Sequence, residues 1–222
     1  MKNKIKNFAL IIFINLIFIS LASSEEINFE ANIIELIDKD KRIIAKNNVK
    51  IFNNTESIYA DEMDYDKSKQ IIKAKGSIIL EIPSEKIKIF GKNLTYFKKK
   101  ELIILDKSIR IELNDKFLIT TDEAIYDKNQ KKINVNYYSE FKDITGNIVS
   151  AKKAEFLLIN KLLKIESVNL IDELKNKYFF NYAIINLEDN ELIADGIKID
   201  FFKDSFDNNE NDPRLRGNFL YS

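Results

Sequence analysis

Residues 87–113, IKIFGKNLTYFKKKELIILDKSIRIEL, read as two strands joined by a polar turn. Gly91 interrupts the first strand and Tyr96 sits near its end. In the second strand Ile103, Leu105, Ile109 and Ile111 alternate with polar neighbours. Period-two alternation of branched and aromatic side chains indicates a strand with one buried face. No stretch of this unit carries a capped 3.6-residue stripe, so a helix is not expected.

The unit recurs. Taking Gly91 as an anchor, equivalent positions are Ala31, Ala60, Thr121, Ala151 and Tyr182, at separations of 29, 31, 30, 30 and 31 residues. A fixed period in this range marks a repeat architecture. Two residues before each anchor stand Phe29, Ile58, Ile89, Ile119, Val149 and Phe180. Three after stand Ile34, Met63, Leu94, Ala124, Ala154 and Ile185, and five after stand Leu36, Tyr65, Tyr96, Tyr126, Phe156 and Leu187. Polar turns follow, among them Asp66-Lys-Ser, Lys98-Lys-Lys and Asp127-Lys-Asn, residues that tolerate turn geometry. The next strand alternates again: Ile72, Ala74, Gly76, Ile78 and Leu80 in one copy, Ile133, Val135, Tyr137 and Phe141 in another.

Parity within these columns predicts a bend. The anchor and the position two before it share one face of a regular strand, whereas positions three and five after it share the other. All are apolar or small, so each first strand must step by one residue just past its anchor, through a bulge or corner. A small anchor suits that bend, and a wide sheet is thereby expected to fold over on itself. Both prolines avoid the first strands: Pro83 lies at a junction of copies and Pro213 in the tail.

Composition narrows the function. The 222 residues contain 35 basic and 35 acidic side chains and are 45% hydrophobic, enough for a core and without the basic excess of a nucleic-acid binder. With no Cys and no His, disulfides, thiol nucleophiles and the commonest general base and metal ligand are all lacking. No phosphate-binding Gly loop, nucleophile elbow or triad is found. No cofactor and no catalytic residue are assigned. Asp61, Glu62, Asp64 and Asp66 carry the oxygen ligands Ca²⁺ prefers, but alternation splits them between faces, and no metal site is assigned. Lys98, Lys99 and Lys100 read as a solvated turn.

The first residues read as an export signal. Lys2, Lys4 and Lys6 precede an apolar run from Phe8 to Leu21, and Ala22 and Ser24 supply small residues for cleavage. The run is too short to span a bilayer, for which roughly 20 residues are needed. The expected organisation is a signal peptide over 1–24, a repeat domain over 25–204 and a polar linker or tail over 205–222.

The units SIYADEMDYDKSKQIIKAKGSIILEI (57–82) and KIKIFGKNLTYFKKKELIILDKSIRIEL (86–113) resemble the OstA-type domain of lipopolysaccharide export proteins. That domain occurs in the periplasmic bridge protein LptA and the N-terminal periplasmic part of LptD, and LptC shares its fold. The shared grammar is apolar-x-(Ala/Gly)-(Asp/Lys)-x-apolar-x-Tyr, a polar turn, then apolar-x-Ala-x-Gly-x-apolar. The tail NDPRLRGNFLYS (211–222) is similar to the segment joining this domain to the barrel in some LptD proteins, although the Cys pairs usual in LptD are missing. The resemblance implies an all-β, elongated, twisted open β-jellyroll, V-shaped in section, built here from about six hairpins. It also implies a module that shields lipid A acyl chains and passes lipopolysaccharide toward the outer membrane. Implied partners are lipopolysaccharide, the outer-membrane translocon and other jellyroll proteins, through end-to-end β-augmentation or self-assembly. The implied place is the periplasm, in association with the outer membrane.

Ile58, Met63, Ile89, Leu94, Ile119 and Phe156 are the expected lining of the groove. The competing expectation is an exported structural or adhesive β-solenoid that binds no lipid, in which the same side chains are merely core.

Overall fold

The computed structural model describes residues 27–113, 117–143, 147–189, 191–202 and 214–221. The stretch at 1–24 expected to be a signal peptide and the polar stretch at 207–212 lie outside the described residues. Among those described there is no α-helix, and sixteen strands form one antiparallel sheet. They are β1 (Asn28–Glu30), β2 (Ile33–Ile37), β3 (Arg42–Phe52), β4 (Ser57–Asp66), β5 (Ile71–Ile82), β6 (Ile87–Phe97), β7 (Leu102–Leu113) and β8 (Phe117–Asp127). Then come β9 (Lys132–Val135), β10 (Ser139–Asp143), β11 (Ile148–Ala151), β12 (Lys153–Leu157), β13 (Leu162–Ile171), β14 (Lys177–Asn186), β15 (Leu192–Asp200) and β16 (Arg214–Tyr221).

The sheet is a meander running from β1 to β16 in chain order. Three of its lines are broken in two at a bend: β1 and β2 both pair with β3, β9 and β10 with β8, and β11 and β12 with β13. Joining those halves leaves six hairpins and one closing strand. That strand, β16, falls in the segment read from the sequence as a polar tail, where Leu215 pairs with Ile199 and Gly217 with Ile197.

The face steps past each anchor as parity requires. In β4 Ile58 and Ala60 are buried and then Met63; in β6 Ile89 and then Leu94 and Tyr96; in β8 Ile119 and Thr121 and then Ala124 and Tyr126. The corner itself is made differently from the expectation. Left-handed backbone occurs not at the anchors but in the alternate strands, at Asn47 and Asn48, Gly76, Lys107 and Ser108, Ser167 and Gly196. These spots repeat at about the same period and carry the bulges against β4, β6 and β8. Polar residues and Gly tolerate positive φ, which explains why this position is never apolar. The anchor is small for another reason. At Gly91 a Cβ would stand 2.7 Å from Cδ1 of Ile109 in the neighbouring strand, so a side chain there would require the Ile109 tip to shift. Tyr137, expected on the inner face, is 53% exposed because residues 136–138 form the corresponding corner between β9 and β10.

Two rows of turns bound the folded sheet. One row stacks into a ladder of main-chain bonds: Lys67 N–H donates to Lys41 O, Lys98 to Gln70, Lys128 to Glu101, Leu158 to Lys131 and Leu187 to Lys161, at 2.9–3.1 Å. Asp66 and Asp127 close their turns by accepting from the N–H of Lys69 and Gln130, and Gln70, Glu101, Lys131 and Lys161 leave them in the left-handed region. The other row comprises the turns at 53–56, at Pro83–Glu85 and at 172–176.

Each long strand therefore has a first arm, between the second row of turns and the corner, and a second arm, between the corner and the laddered row. The inner faces of the two arms pack on each other in one hydrophobic core. Phe29 of the first arm, for example, stacks on Tyr65 of the second with centroids 5.7 Å apart. Folding at the corners removes both apolar faces from water, the dominant gain available to a sheet with one greasy side.

Candidate functional site: an enclosed apolar interior and its seam

The six expected lining residues all point inward. Ile58, Ile89 and Ile119 come from the first arm, and Met63, Leu94 and Phe156 from the second; none is more than 4% exposed. Register brings the first three into one line. Phe29 pairs with Ile51, Ile51 with Ile58, Ile58 with Leu80, Leu80 with Ile89, Ile89 with Ile111 and Ile111 with Ile119. The line continues through Phe141, Val149, Leu170, Tyr178 and Ile199 to Leu215 in the last strand. An unbroken apolar row thus runs the whole width of the sheet. The second arm holds a matching row: Tyr65, Ile72, Tyr96, Ile103, Tyr126, Ile133, Phe156 and Leu163 are successive cross-strand neighbours. Such pairs are the unit of sheet stabilisation.

Side chains fill this interior. The hollow between the arms at Ile111, Ile119, Ile133 and Phe156 measures only about 10 Å³, barely room for one water. A hollow of about 380 Å³ is lined by charged pairs such as Lys153 with Glu166, and one of about 410 Å³ by Lys75 with Glu62 but also by Met63 and Leu94, two of the expected lining residues. At one end of the interior the rows come into the open. Ile34 and Leu36 of β2 are about half exposed, since among the described residues no further hairpin covers them.

The mouth of the fold, where the two rows of turns meet, is polar. Lys128 Nζ lies 2.7 Å from Glu56 and 3.0 Å from Glu101, and donates to Tyr96 Oη at 3.1 Å. Tyr96 O–H in turn donates to Glu101 Oε2 at 2.6 Å. The Lys128 and Glu56 side chains are only 10% and 6% exposed. Further along, Lys161 Nζ meets Glu85 at 2.6 Å. Burial disfavours charge on Lys128, but Glu56 and the hydrogen bonds to Glu56, Tyr96 and Glu101 outweigh it and hold the ammonium well above its ordinary pKa. Burial, reinforced by the bond to Glu101, pushes the Tyr96 phenol upward. A hollow of about 280 Å³ lies along this seam, touched by Glu56, Ile82, Glu85, Tyr126, Lys128 and Leu158. The pairs across the seam escaped sequence reading, because a Lys and a Glu some seventy residues apart carry no local signature.

The acidic run does not converge. Asp61 accepts from Ser77 N–H, Glu62 pairs with Lys75, Asp64 with Arg42 and Asp66 with Lys69. Among the described residues no group of carboxylates is arranged to hold a metal ion. Lys98 and Lys100 rest over the rings of Tyr65 and Phe97 at 5.7 and 5.8 Å.

Fold and site together define a folded-over antiparallel meander with a continuous apolar interior. Residues 28–132, just under half of the chain, match the family described as LptA/(LptD N-terminal domain) LPS transport protein. Among solved structures, the chain is similar to LptH, the LptA homologous periplasmic component of the lipopolysaccharide transport device of Pseudomonas aeruginosa. Identity is 16% and the TM-score 0.44, over 49% of this chain and 80% of that one. No curated protein matches the chain.

Proposed function

We propose that the chain is a periplasmic lipopolysaccharide-transport module. Its interior receives the acyl chains of lipid A when the two arms part along the seam. The observation that carries this reading is the unbroken apolar row from Phe29 to Leu215, placed within and beyond a stretch that matches a lipopolysaccharide-transport family. Each methylene taken out of water contributes about 0.8 kcal/mol, so a lipid with several chains needs a continuous apolar path across an aqueous compartment. The architecture suits such a path. Main-chain hydrogen bonds of the described residues run between sheet neighbours and between stacked turns, none from one arm to the other. Behind the polar seam, parting the arms exposes chiefly apolar side chains, and acyl chains re-cover them. Sugars and phosphates stay outside, beside the charged turns. Ile58, Met63, Ile89, Leu94, Ile119 and Phe156 form the lining, with no catalytic role for any residue.

The ends of the sheet suit assembly. β1 with β2 at one edge and β16 at the other leave main-chain groups for another strand, and Ile34 and Leu36 offer apolar surface beside the first. Other jellyroll proteins of the transport system, a second copy of this chain and the outer-membrane translocon are the fitting partners. The cleaved signal peptide delivers the chain to the periplasm, beside the outer membrane.

A photo-crosslinking residue at Ile89 or Leu94 should capture lipopolysaccharide, and one at outward Lys88 should not. Equal capture at all three sites overturns the reading. The filled interior favours one alternative, an exported structural β-solenoid without lipid. Purified protein free of lipid, together with no capture at Ile89, would establish that alternative.

A further inference from the structure

We propose that the ion pairs Lys128–Glu56 and Lys161–Glu85 are a latch that holds the mouth of the jellyroll shut, and that lipid entry requires their release. The inference rests on the lipid-transport reading above for its purpose, but not for its mechanics. Lys128 and Lys161 belong to turns of the laddered row, Glu56 and Glu85 to turns of the opposite row. The pairs therefore join the two arms at the side away from the corners, where the sheet is otherwise discontinuous. Within each arm the chain is fastened by main-chain bonds; between arms there is apolar packing, which is non-directional and slides. A charge pair is directional and short-ranged, so it fixes the separation of the two rows.

The two pairs differ in depth. Lys128 and Glu56 are nearly enclosed and tied into Tyr96 and Glu101, whereas Lys161 and Glu85 are 30% and 18% exposed. Opening is thus expected to begin at the Lys161–Glu85 end and to stall at Lys128. Ile82, Tyr126 and Leu158 lie immediately beneath, so a parted seam leads straight onto the apolar rows.

The absence of native Cys makes the test clean. Ala124, fully buried in the second arm, is replaced by Cys as a single interior thiol, and its rate of reaction with a small maleimide reports opening. Glu85→Gln is expected to raise that rate about 10-fold, the order of effect of losing a hydrogen bond to a charged group. Glu56→Gln should raise it further. The exchanged pair Glu85→Lys with Lys161→Glu should return it to the starting rate. Glu155→Gln, which breaks the Lys132–Glu155 pair away from the seam, should leave it unchanged. Urea midpoints on the same proteins separate local opening from loss of global stability. Unchanged labelling in both Glu85→Gln and Glu56→Gln, or equal acceleration by Glu155→Gln, overturns the latch.

Lipid entry is read separately. In a Glu85→Cys, Lys161→Cys protein, a short bis-maleimide across the seam should abolish capture of lipopolysaccharide by a photo-crosslinker at Ile89, and the unbridged protein should retain it. Capture that persists in the bridged protein overturns the role of the seam in entry. Faster labelling with no capture in any form supports the latch and overturns the lipid reading.

Discussion

Asp61 occupies the space that a side chain on Gly76 would need: its Oδ2 stands 2.1 Å from where a Cβ would lie, and it accepts the Ser77 N–H at 2.9 Å. Gly76 also has φ of +102°, a conformation L side chains rarely adopt. The corner of β5 thus depends on a missing Cβ twice over. Gly76→Ala is expected to cost about 2–4 kcal/mol, strain and overlap together. In urea titrations the double substitution with Asp61→Ala should cost less than the sum of the two single ones, since it removes the overlap and leaves the strain.

Leu105 and Ile104 are adjacent in β7 but belong to opposite faces. Leu105 is fully buried between the arms and Ile104 is partly exposed. Leu105→Ala should lower stability by about 2–5 kcal/mol, as for large-to-small changes in packed cores. Ile104→Ala should lower it by about 1 kcal/mol or less. Equal losses in chemical denaturation would contradict the assignment of faces in this repeat.

Tyr96 should ionise late, because burial, reinforced by the bond to Glu101, pushes its phenol upward. Its folded pKa lies above its unfolded one, so its contribution to stability is intact below about pH 10 and is lost as pH rises further, while the unfolded phenol ionises. Lys128, also raised, acts in the same direction in that range. Ultraviolet titration of phenolate should show a late step that coincides with unfolding. Tyr96→Phe should remove that step and flatten the alkaline decline of the urea midpoint.

Asp64 has the opposite sign. Its hydrogen bonds with the Arg42 guanidinium hold its carboxyl below the usual range, so its stabilising contribution is present above about pH 4 and is lost as pH falls through the folded value. Both side chains are a third or more exposed, which keeps the effect small. The difference in urea midpoint between wild type and Asp64→Asn should hold from pH 7 to about 5 and shrink away as pH falls through the lowered folded value.

Much of this architecture was legible because it is local and repeated. Apolar columns around Ala60, Gly91 and Thr121 give the hairpins, and the parity change between Ile89 and Leu94 gives the bend. The sequence placed the bend in the right strand pair but did not reveal that Lys107 and Ser108, rather than Gly91, adopt the unusual backbone, since Lys and Ser carry no mark of left-handed φ. β16 was missed because Arg214, Arg216 and Asn218 alternate with only a few apolar residues and follow a highly polar stretch. All six lining candidates lie in the interior, yet the closeness of its packing depends on how two arms meet, which no single hairpin encodes. The same holds for Lys161 and Glu85, neighbours only after folding.

The meander places its first and last strands at opposite margins, and every adjoining pair is antiparallel. Tension applied through the two chain termini would therefore load hydrogen bonds one at a time, as in a zipper, rather than many at once in shear. Such a molecule yields stepwise under pulling, hairpin after hairpin from the margins inward. A stretched protein should show a sawtooth of small, evenly spaced extensions in place of one abrupt rupture.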